Sequence, residues 1–356
     1  MKLSIKGMGV VGGFGCGTDT LLSALSSGQC APQNVSVKTS QGSLDMAVFC
    51  AETSRLEEFV SKKALRRADH FSKMALLGSH LALQDAGKLE EDHSRMGIIV
   101  ATGYGATRTT YAFLDSFILD GDTFSSPTCF SHSVHNAAVA SVSELLNITG
   151  PGLTVSQFEM SVASALLTAR CWLEEGSVDS VLFGAIDEYC DVLGYCWHRY
   201  FGNRATAPHS MDPLNFDLQS AIPGEGAAFF VLSDDDKGGS RYGFIKDIRL
   251  GRMDQCIEAV DRGTTFFLGA DGHKECGARY RRFLSGHFRT ECYTPLYGSL
   301  PVGPAFDIAI AALSIKNGKI FPSPRGKNEG QGTGMGSICC VKVGDREEVG
   351  MVTLEA

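Results

Sequence analysis

Basic residues are the minority charge in this sequence. Lys and Arg number 32 against 40 Asp and Glu, for a net charge of -8. That balance argues against nucleic acid or an anionic membrane surface as the main partner. Long apolar runs are also missing. The longest, such as Ala227 to Leu232 and Ile308 to Leu313, are far too short to cross a bilayer. The N-terminus, Met1-Lys2-Leu3-Ser4-Ile5-Lys6-Gly7, lacks an apolar h-region and reads as a first strand, not a signal peptide. No CxxC pair occurs among the 12 cysteines, and Cys339-Cys340 is a vicinal pair in an apolar strand. Such scatter reads as reduced core thiols, Cys129 and Cys171 included, in a reducing cytoplasm. Proline is sparse, and no short repeat, low-complexity stretch or linker is visible.

What is present suits a large packed core. The chain has 356 residues, is 44% hydrophobic, and carries 41 glycines. That length fits two ordinary domains or one large domain with an internal duplication. Strand-length apolar runs alternate with helical patterns. Leu3 to Val11, Met96 to Ala101, Leu153 to Ser156, Ser180 to Ala185, Ala227 to Ser233, Arg241 to Leu250 and Phe266 to Ala270 read as strands, with a final hairpin from Ser337 to Val343 and Glu348 to Leu354. Leu153 to Ser156 is expected to be buried. Phe71 to Ala86, Thr110 to Leu119, His135 to Leu146, Met160 to Leu173 and Asp307 to Lys316 read as helices. Asp234-Asp235-Asp236 reads as a solvated turn. The alternation predicts an α/β protein with a mixed or parallel sheet covered by helices.

Several stretches together resemble a β-ketoacyl-acyl carrier protein synthase of the thiolase superfamily. They are Gly7-Met8-Gly9-Val10-Val11 with Gly15-Cys16-Gly17, Leu65-Arg66-Arg67-Ala68-Asp69, Ser133-Val134-His135-Asn136-Ala137-Ala138, Gly150-Pro151-Gly152-Leu153-Thr154-Val155-Ser156, Pro223-Gly224-Glu225-Gly226-Ala227-Ala228, and Ala311-Ala312-Leu313-Ser314-Ile315-Lys316-Asn317-Gly318. They keep the family's order over nearly the whole chain. The resemblance implies the thiolase-like fold, two duplicated βαβαβαββ halves in five α-β-α-β-α layers. The halves are expected at residues 1–225 and 226–356.

The same resemblance exposes missing chemistry. An active member needs a cysteine at the start of a buried helix, where the helix dipole and backbone N–H groups favour the thiolate. Two histidines from the other half then assist decarboxylation and hold the oxyanion. The nucleophile motif Thr-x-Ser-x-x-Cys here reads Thr154-Val155-Ser156-Gln157-Phe158-Glu159, so Glu159 stands at the cysteine position. The first histidine motif reads Gly269-Ala270-Asp271-Gly272-His273, which puts Asp271 at the histidine. Counting back from Gly318 puts Gly298 at the second histidine and Tyr293 at the expected lysine. The turn that often carries a gating phenylalanine is expected at Gly332-Thr333-Gly334-Met335-Gly336.

This pattern resembles the chain length factor, the non-catalytic partner of a type II ketosynthase. It implies a heterodimer with an active ketosynthase, an acyl carrier protein as a further partner, and an acyl chain in a shared tunnel. Polyketide, polyene (including aryl polyene) or fatty-acid-type chain elongation is the implied setting. No cofactor or metal is expected, and no catalytic residue is retained. Thr110, Phe113, Leu114 and Phe117 lie at i, i+3, i+4 and i+7 on one helix. They read either as ordinary core or, by the resemblance, as the tunnel wall that sets chain length. Leu153 to Ser156 and its neighbours would contribute to the dimer interface.

Other readings of single residues stay open. Glu159 reads as a favourable charge at a helix start or as a carboxylate that polarises a partner's site. Asp271 and His273 read as turn residues or as a new acid/base pair sharing one face of a strand. His135 reads as a buried, hydrogen-bonded residue at a helix start. Two rival functions remain: a condensing or malonyl-decarboxylating enzyme using substitute residues, and a homodimeric acyl-chain-binding protein.

Overall fold

A computed structural model describes the chain except for residues 40–41, 203–209, 235–238, 258–259, 262, 285–287 and 325–335. β1 (Leu3–Gly12) turns through β2 (Gly15–Cys16) into α1 (Thr18–Ser27), and a separate hairpin follows, β3 (Gln33–Thr39) with β4 (Gly42–Val48). α2 (Lys62–Leu65) and α3 (His70–Asp85) lead to β5 (Met96–Thr102). Then come α4 (Thr107–Asp120), α5 (Pro127–His132), α6 (Ala137–Leu146), β6 (Gly152–Ser156), α7 (Ser161–Glu174), β7 (Ser180–Asp187), α8 (Asp191–Phe201) and β8 (Gly226–Asp234). The second half runs β9 (Phe244–Arg252), α9 (Met253–Ile257), β10 (Thr265–Leu268), α10 (Lys274–Gly277), α11 (Arg281–Leu284), β11 (Thr290–Glu291), α12 (Pro304–Asn317), β12 (Ile338–Val343) and β13 (Glu348–Glu355).

The strands carry the duplication that the sequence conceals. One group has the order β6-β5-β7-β8-β1 and the other β11-β10-β12-β13-β9. In the first, β5 is parallel to β6 and β7, while β8 is antiparallel to β7 and β1. In the second, β10 is parallel to β11 and β12, while β13 is antiparallel to β12 and β9. The groups join where Leu3 and Ser4 meet Ile245 and Phe244. Because β8 completes the first group, we propose that the halves divide after Asp234. A boundary at 225/226 would cut that strand from its own sheet.

Burial follows the expected five layers. α3 and α6 cover the outer face of the first sheet, around Phe71, Leu77, Ile98, Val139 and Phe229. α7 and α12 fill the space between the sheets with Leu166, Phe306, Ile310, Phe183 and Phe230. Phe266, Tyr280, Phe283 and Met351 form the core on the outer face of the second sheet. α12 is apolar almost all round, as a helix enclosed by two sheets must be. Pro304 opens it, and Gly318 closes it in the left-handed conformation at φ 64°.

Local chemistry fixes the remaining boundaries. Asp69 caps α3 by accepting the Ser72 N–H at 2.8 Å. β9 begins at Phe244 and not at Arg241, because Gly243 turns the chain at φ 84°. β6 is the edge of the sheet and only half-buried, not enclosed, since β5 is its sole partner among the described strands. Asp234 ends β8, and Asp235 and Asp236 lie outside the described residues.

β1 can press against α3 only because Gly9 has no side chain. A Cβ there would collide with the Gly78 carbonyl and the Ala82 backbone. Gly9→Val is expected to cost about 1–3 kcal/mol through overpacking, read as a lower urea midpoint with an unchanged slope.

Candidate functional site

The site forms where the two halves meet, beyond the C-terminal ends of the parallel strands. β6 ends at Ser156, and a one-turn 3-10 helix, Phe158–Met160, leads into α7. Phe158 has φ 46°, an unusual value for a bulky residue and a sign of local strain. The turn is tied down by Ser161, whose hydroxyl accepts from Gln157 N at 2.7 Å and donates to the Thr102 carbonyl at 2.9 Å. Glu159 sits on this turn, half-buried, at the mouth of the helix as expected. Burial raises its carboxyl above the usual range, while the charge of Lys342 opposes the rise.

From the second half, Asp271 follows β10 and is held by two donors. Lys342 Nζ lies 2.9 Å from Asp271 Oδ2, and Ser299 Oγ donates to the same oxygen at 3.0 Å. Lys342 also donates to the Gly269 carbonyl at 3.0 Å. The Lys342 side chain is 5% exposed and that of Asp271 14%. Burial alone would raise the Asp271 carboxyl, but Lys342 and these hydrogen bonds hold it well below the carboxylate range. Burial likewise works against the Lys342 charge, and Asp271 outweighs it, raising the ammonium above its ordinary value.

Gly298 contributes no side chain here. It turns at φ 84° against Phe49 and Gly224, and the next residue, Ser299, reaches Asp271. Tyr293 is buried in the core and donates its hydroxyl to the Phe321 carbonyl. Asp271 and His273 do not act as one strand face. Gly272 turns the chain at φ 84° between them. His273 faces Trp197 and Phe201, at ring distances of 4.9 and 4.7 Å, and its Nδ1 meets Gln219 Nε2 at 3.1 Å.

In front of Glu159 lies a cavity of about 790 Å³, lined by Tyr104, Trp197, Phe201, His273 and Asp345 among others. Asp345 belongs to the turn between β12 and β13, where Cys276 Sγ donates to Asp345 Oδ1 at 3.0 Å and Arg279 donates to the Gly344 carbonyl. This turn occupies the place beside the cavity. Residues 332–335 of the expected gating turn lie outside the described residues. Among the described residues, no cluster of three or more His, Cys, Asp and Glu could hold a metal.

The four chain-length candidates share α4, as expected, but it is not a core helix. Leu114 and Phe117 are exposed, and Phe113 and Thr110 half-buried. Thr110 Oγ1 donates to Ala106 O at 2.9 Å and reaches Ser133 O at 3.0 Å, while Phe113 meets the Phe130 ring at 5.3 Å. Around them Ile118, Leu119, Phe124 and Phe130 are 75, 80, 77 and 60% exposed. So many exposed apolar side chains on α4, on α5 and between them are more than a bare surface usually carries. His135 is exposed, not buried, and its ring lies against Gly105, where a Cβ could not fit. Cys129 is half-buried and Cys171 exposed, so neither is a core thiol.

Buried carboxyls underlie the site. Burial pushes Asp187 up to about 6, although Tyr104 N, Thr102 Oγ1 and Gly103 N all donate to it at 2.8–2.9 Å. Burial carries Glu188 to about 7 and Asp307 to about 7; the Tyr297 hydroxyl, donating to Asp307 Oδ1 at 2.8 Å, opposes the latter.

The duplicated five-strand topology, with a pocket at the junction of the halves, defines a thiolase-like α/β protein. Residues 2–237 match the family described as Beta-ketoacyl synthase, N-terminal domain, and the chain belongs to that family. A beta-ketoacyl synthase from Burkholderia phymatum STM815 superposes over 100% of this chain and 99% of its own, with TM-score 0.80 and 17% identity. The ishigamide ketosynthase/chain length factor gives TM-score 0.78 at 16% identity, over 100% and 99% of the two chains. A structure of the ketosynthase ApeO in complex with its chain length factor ApeC from Xenorhabdus doucetiae gives TM-score 0.78 at 13% identity, over 100% and 98%. Nodulation protein E of Rhizobium meliloti (strain 1021) is 25% identical over 233 residues, covering 65% of this chain and 57% of that protein. A putative polyketide beta-ketoacyl synthase 1 of Streptomyces virginiae is 26% identical over 247 residues, 65% and 58% of the two. The matched part of the chain spans less than two thirds of these relatives' length.

Two outcomes follow from the charges. Lys342→Met strands Asp271 without its cation and is expected to cost about 3–5 kcal/mol in urea unfolding, whereas the double change with Asp271→Asn costs less than the single one. Asp307 keeps its proton in the folded chain at pH values where the unfolded chain, with a carboxyl near about 3.9, has lost it. The folded state then binds more protons, so this group's contribution to stability falls as pH rises from about 4 to 7. Asp307→Asn should shrink the drop in urea midpoint between acidic and neutral pH; an undiminished drop refutes the assignment.

Proposed function

We propose that this chain is a non-catalytic subunit of a β-ketoacyl synthase, comparable to a chain length factor. One observation carries the reading: Glu159 occupies the strained turn at the mouth of α7, and an Asp271–Lys342–Ser299 cluster faces the same junction. A carboxylate cannot form the transferable thioester that a thiolate forms. Every one of the described cysteines whose thiol shifts is pushed up by burial, away from the nucleophilic form. None of them lines the Glu159 cavity except Cys276, whose thiol donates to Asp345.

The partner is an active ketosynthase subunit. The exposed edge of β6 and the apolar face of α4 and α5 are the surfaces it would cover. The growing chain would run along α4, past Phe113 and Phe117, with an acyl carrier protein delivering its units to the active subunit. The setting is polyketide, polyene or fatty-acid-type elongation. Among the described residues no helix is long and apolar enough to cross a membrane, and the 12 free cysteines suit a reducing cytoplasm.

The test is co-expression with an intact ketosynthase from the same source. The two chains are expected to co-purify as a 1:1 complex, and Ile118→Glu with Leu119→Glu to abolish it by burying charge in the interface. Phe117→Ala in the complex should lengthen the product by opening the tunnel, with the rate of the first condensation nearly unchanged. Product of unaltered length from a complex that still forms refutes the tunnel assignment. Turnover of malonyl carrier protein by the purified chain alone refutes the non-catalytic reading and favours an enzyme with substitute residues.

A further inference from the structure

We propose that the cavity in front of Glu159 is a binding site for an organic ammonium ion. The inference deepens the reading above and rests on it in one respect, that no acyl thioester fills this cavity. The walls combine two features that favour such a cation. Tyr104, Trp197 and Phe201 supply aromatic surface, and Glu159 and Asp345 supply carboxylates. A cation over an aromatic ring gains from the ring quadrupole, and most of all where water is excluded.

The charges already present do not satisfy Glu159. Lys342 is held by Asp271 and by the Gly269 carbonyl. Arg281 pairs with Asp217 at 2.9 Å on the rim. Among the described residues, Glu159 has no ion pair and accepts no side-chain hydrogen bond, although it is half-buried and lines the cavity. A half-buried carboxylate without a counter-ion is costly, and a ligand cation would remove that cost. An anionic occupant would instead face Glu159, Asp217, Glu275 and Asp345, with Lys274 as the single lysine of the lining. Gln219 fixes the back wall: its Oε1 accepts Lys274 N at 2.9 Å, which turns its amide nitrogen onto His273 Nδ1. The cavity volume of about 790 Å³ leaves room for an apolar body behind the charged head.

The test compares choline with 3,3-dimethylbutan-1-ol, which has the same shape but carbon in place of the charged nitrogen. Both are titrated calorimetrically into the full chain, and the tryptophan emission of a Trp172→Phe variant, in which Trp197 alone remains, locates the site. Choline is expected to bind at least about tenfold more tightly than the alcohol. It should also change the Trp197 emission with the same midpoint. Glu159→Gln, with a thermal midpoint no lower than that of the unsubstituted chain, is expected to remove the preference. Equal binding of the two compounds, a choline titration that does not saturate, or an undiminished preference in Glu159→Gln would each overturn the proposal. None of these results bears on whether the chain pairs with a ketosynthase or sets product length, so the two readings fail separately.

Discussion

Lys342 is the only buried lysine or arginine among the described residues, and the charge balance at the junction of the halves depends on it. Its ammonium is bound by Asp271, and its field opposes the effect of burial on Glu159 and Asp307 as well. One cation cannot neutralise three carboxyls. The nearest, Asp271, stays ionised, while Asp307 takes up a proton that the Tyr297 hydroxyl bond only partly resists. Burial also raises the Glu159 carboxyl, against the charge of Lys342, at the turn where the family's chemistry calls for sulfur. The site is therefore organised around a buried ion pair.

The fold brings these residues together by using the same solution twice. In each half the loops that follow the parallel strands point to the junction. Gly103 and Tyr104 follow β5, Glu159 follows β6, Asp271 follows β10, and Lys342 closes β12. Ligand sites in α/β sheets lie beyond the carboxyl ends of the strands, and the duplication sets two such ends face to face. α7 and α12 fill the gap between the sheets, so the distance between the two sets of loops is fixed by close-packed apolar side chains. Lys342 and Asp271 both belong to the second sheet, where β10 and β12 are paired neighbours, so a small shift of one sheet against the other would move this pair as a unit relative to Glu159 and couple the geometry of the site to the packing of the central layer.

Much of this was legible in the residues. Apolar periodicity gives the main strands and helices but not the β3–β4 hairpin or α8, and the place of Glu159 follows from the resemblance of Thr154-Val155-Ser156-Gln157-Phe158-Glu159 to the family's nucleophile motif. The spacing of Thr110, Phe113, Leu114 and Phe117 gave their common helix. It could not give their exposure, because an apolar stripe looks the same whether it faces a core or a partner. The burial expected of β6 fails for the same reason: an apolar strand at a sheet edge has the composition of an enclosed one. Asp271 was located, but its partners were not. Lys342 sits in an apolar strand 71 residues away, and Ser299 lies one residue past Gly298, the position that counting back from Gly318 picks out. Trp197 and Phe201 come from α8, which carries no motif tying it to the pocket. These contacts are long-range, and neither propensity nor local pattern encodes them.

On the proposed reading, the apolar face of α4 and α5 and the turn that carries Glu159 are two sides of one constraint. An acyl chain needs dry walls, and Phe117, Ile118 and Leu119 stand in water on the lone chain. Covering them buries apolar area, the dominant favourable term in association, and in the same step creates the enclosed surface along which an acyl chain could lie. A chain that offers no thiolate has no reason to hold such a surface ready before its partner arrives. Assembly and tunnel formation then become a single event, and residues of α4 would affect the stability of the complex and the space left for the product together. That coupling explains why side chains so apolar can remain exposed on α4 while the core between the two sheets is closed completely.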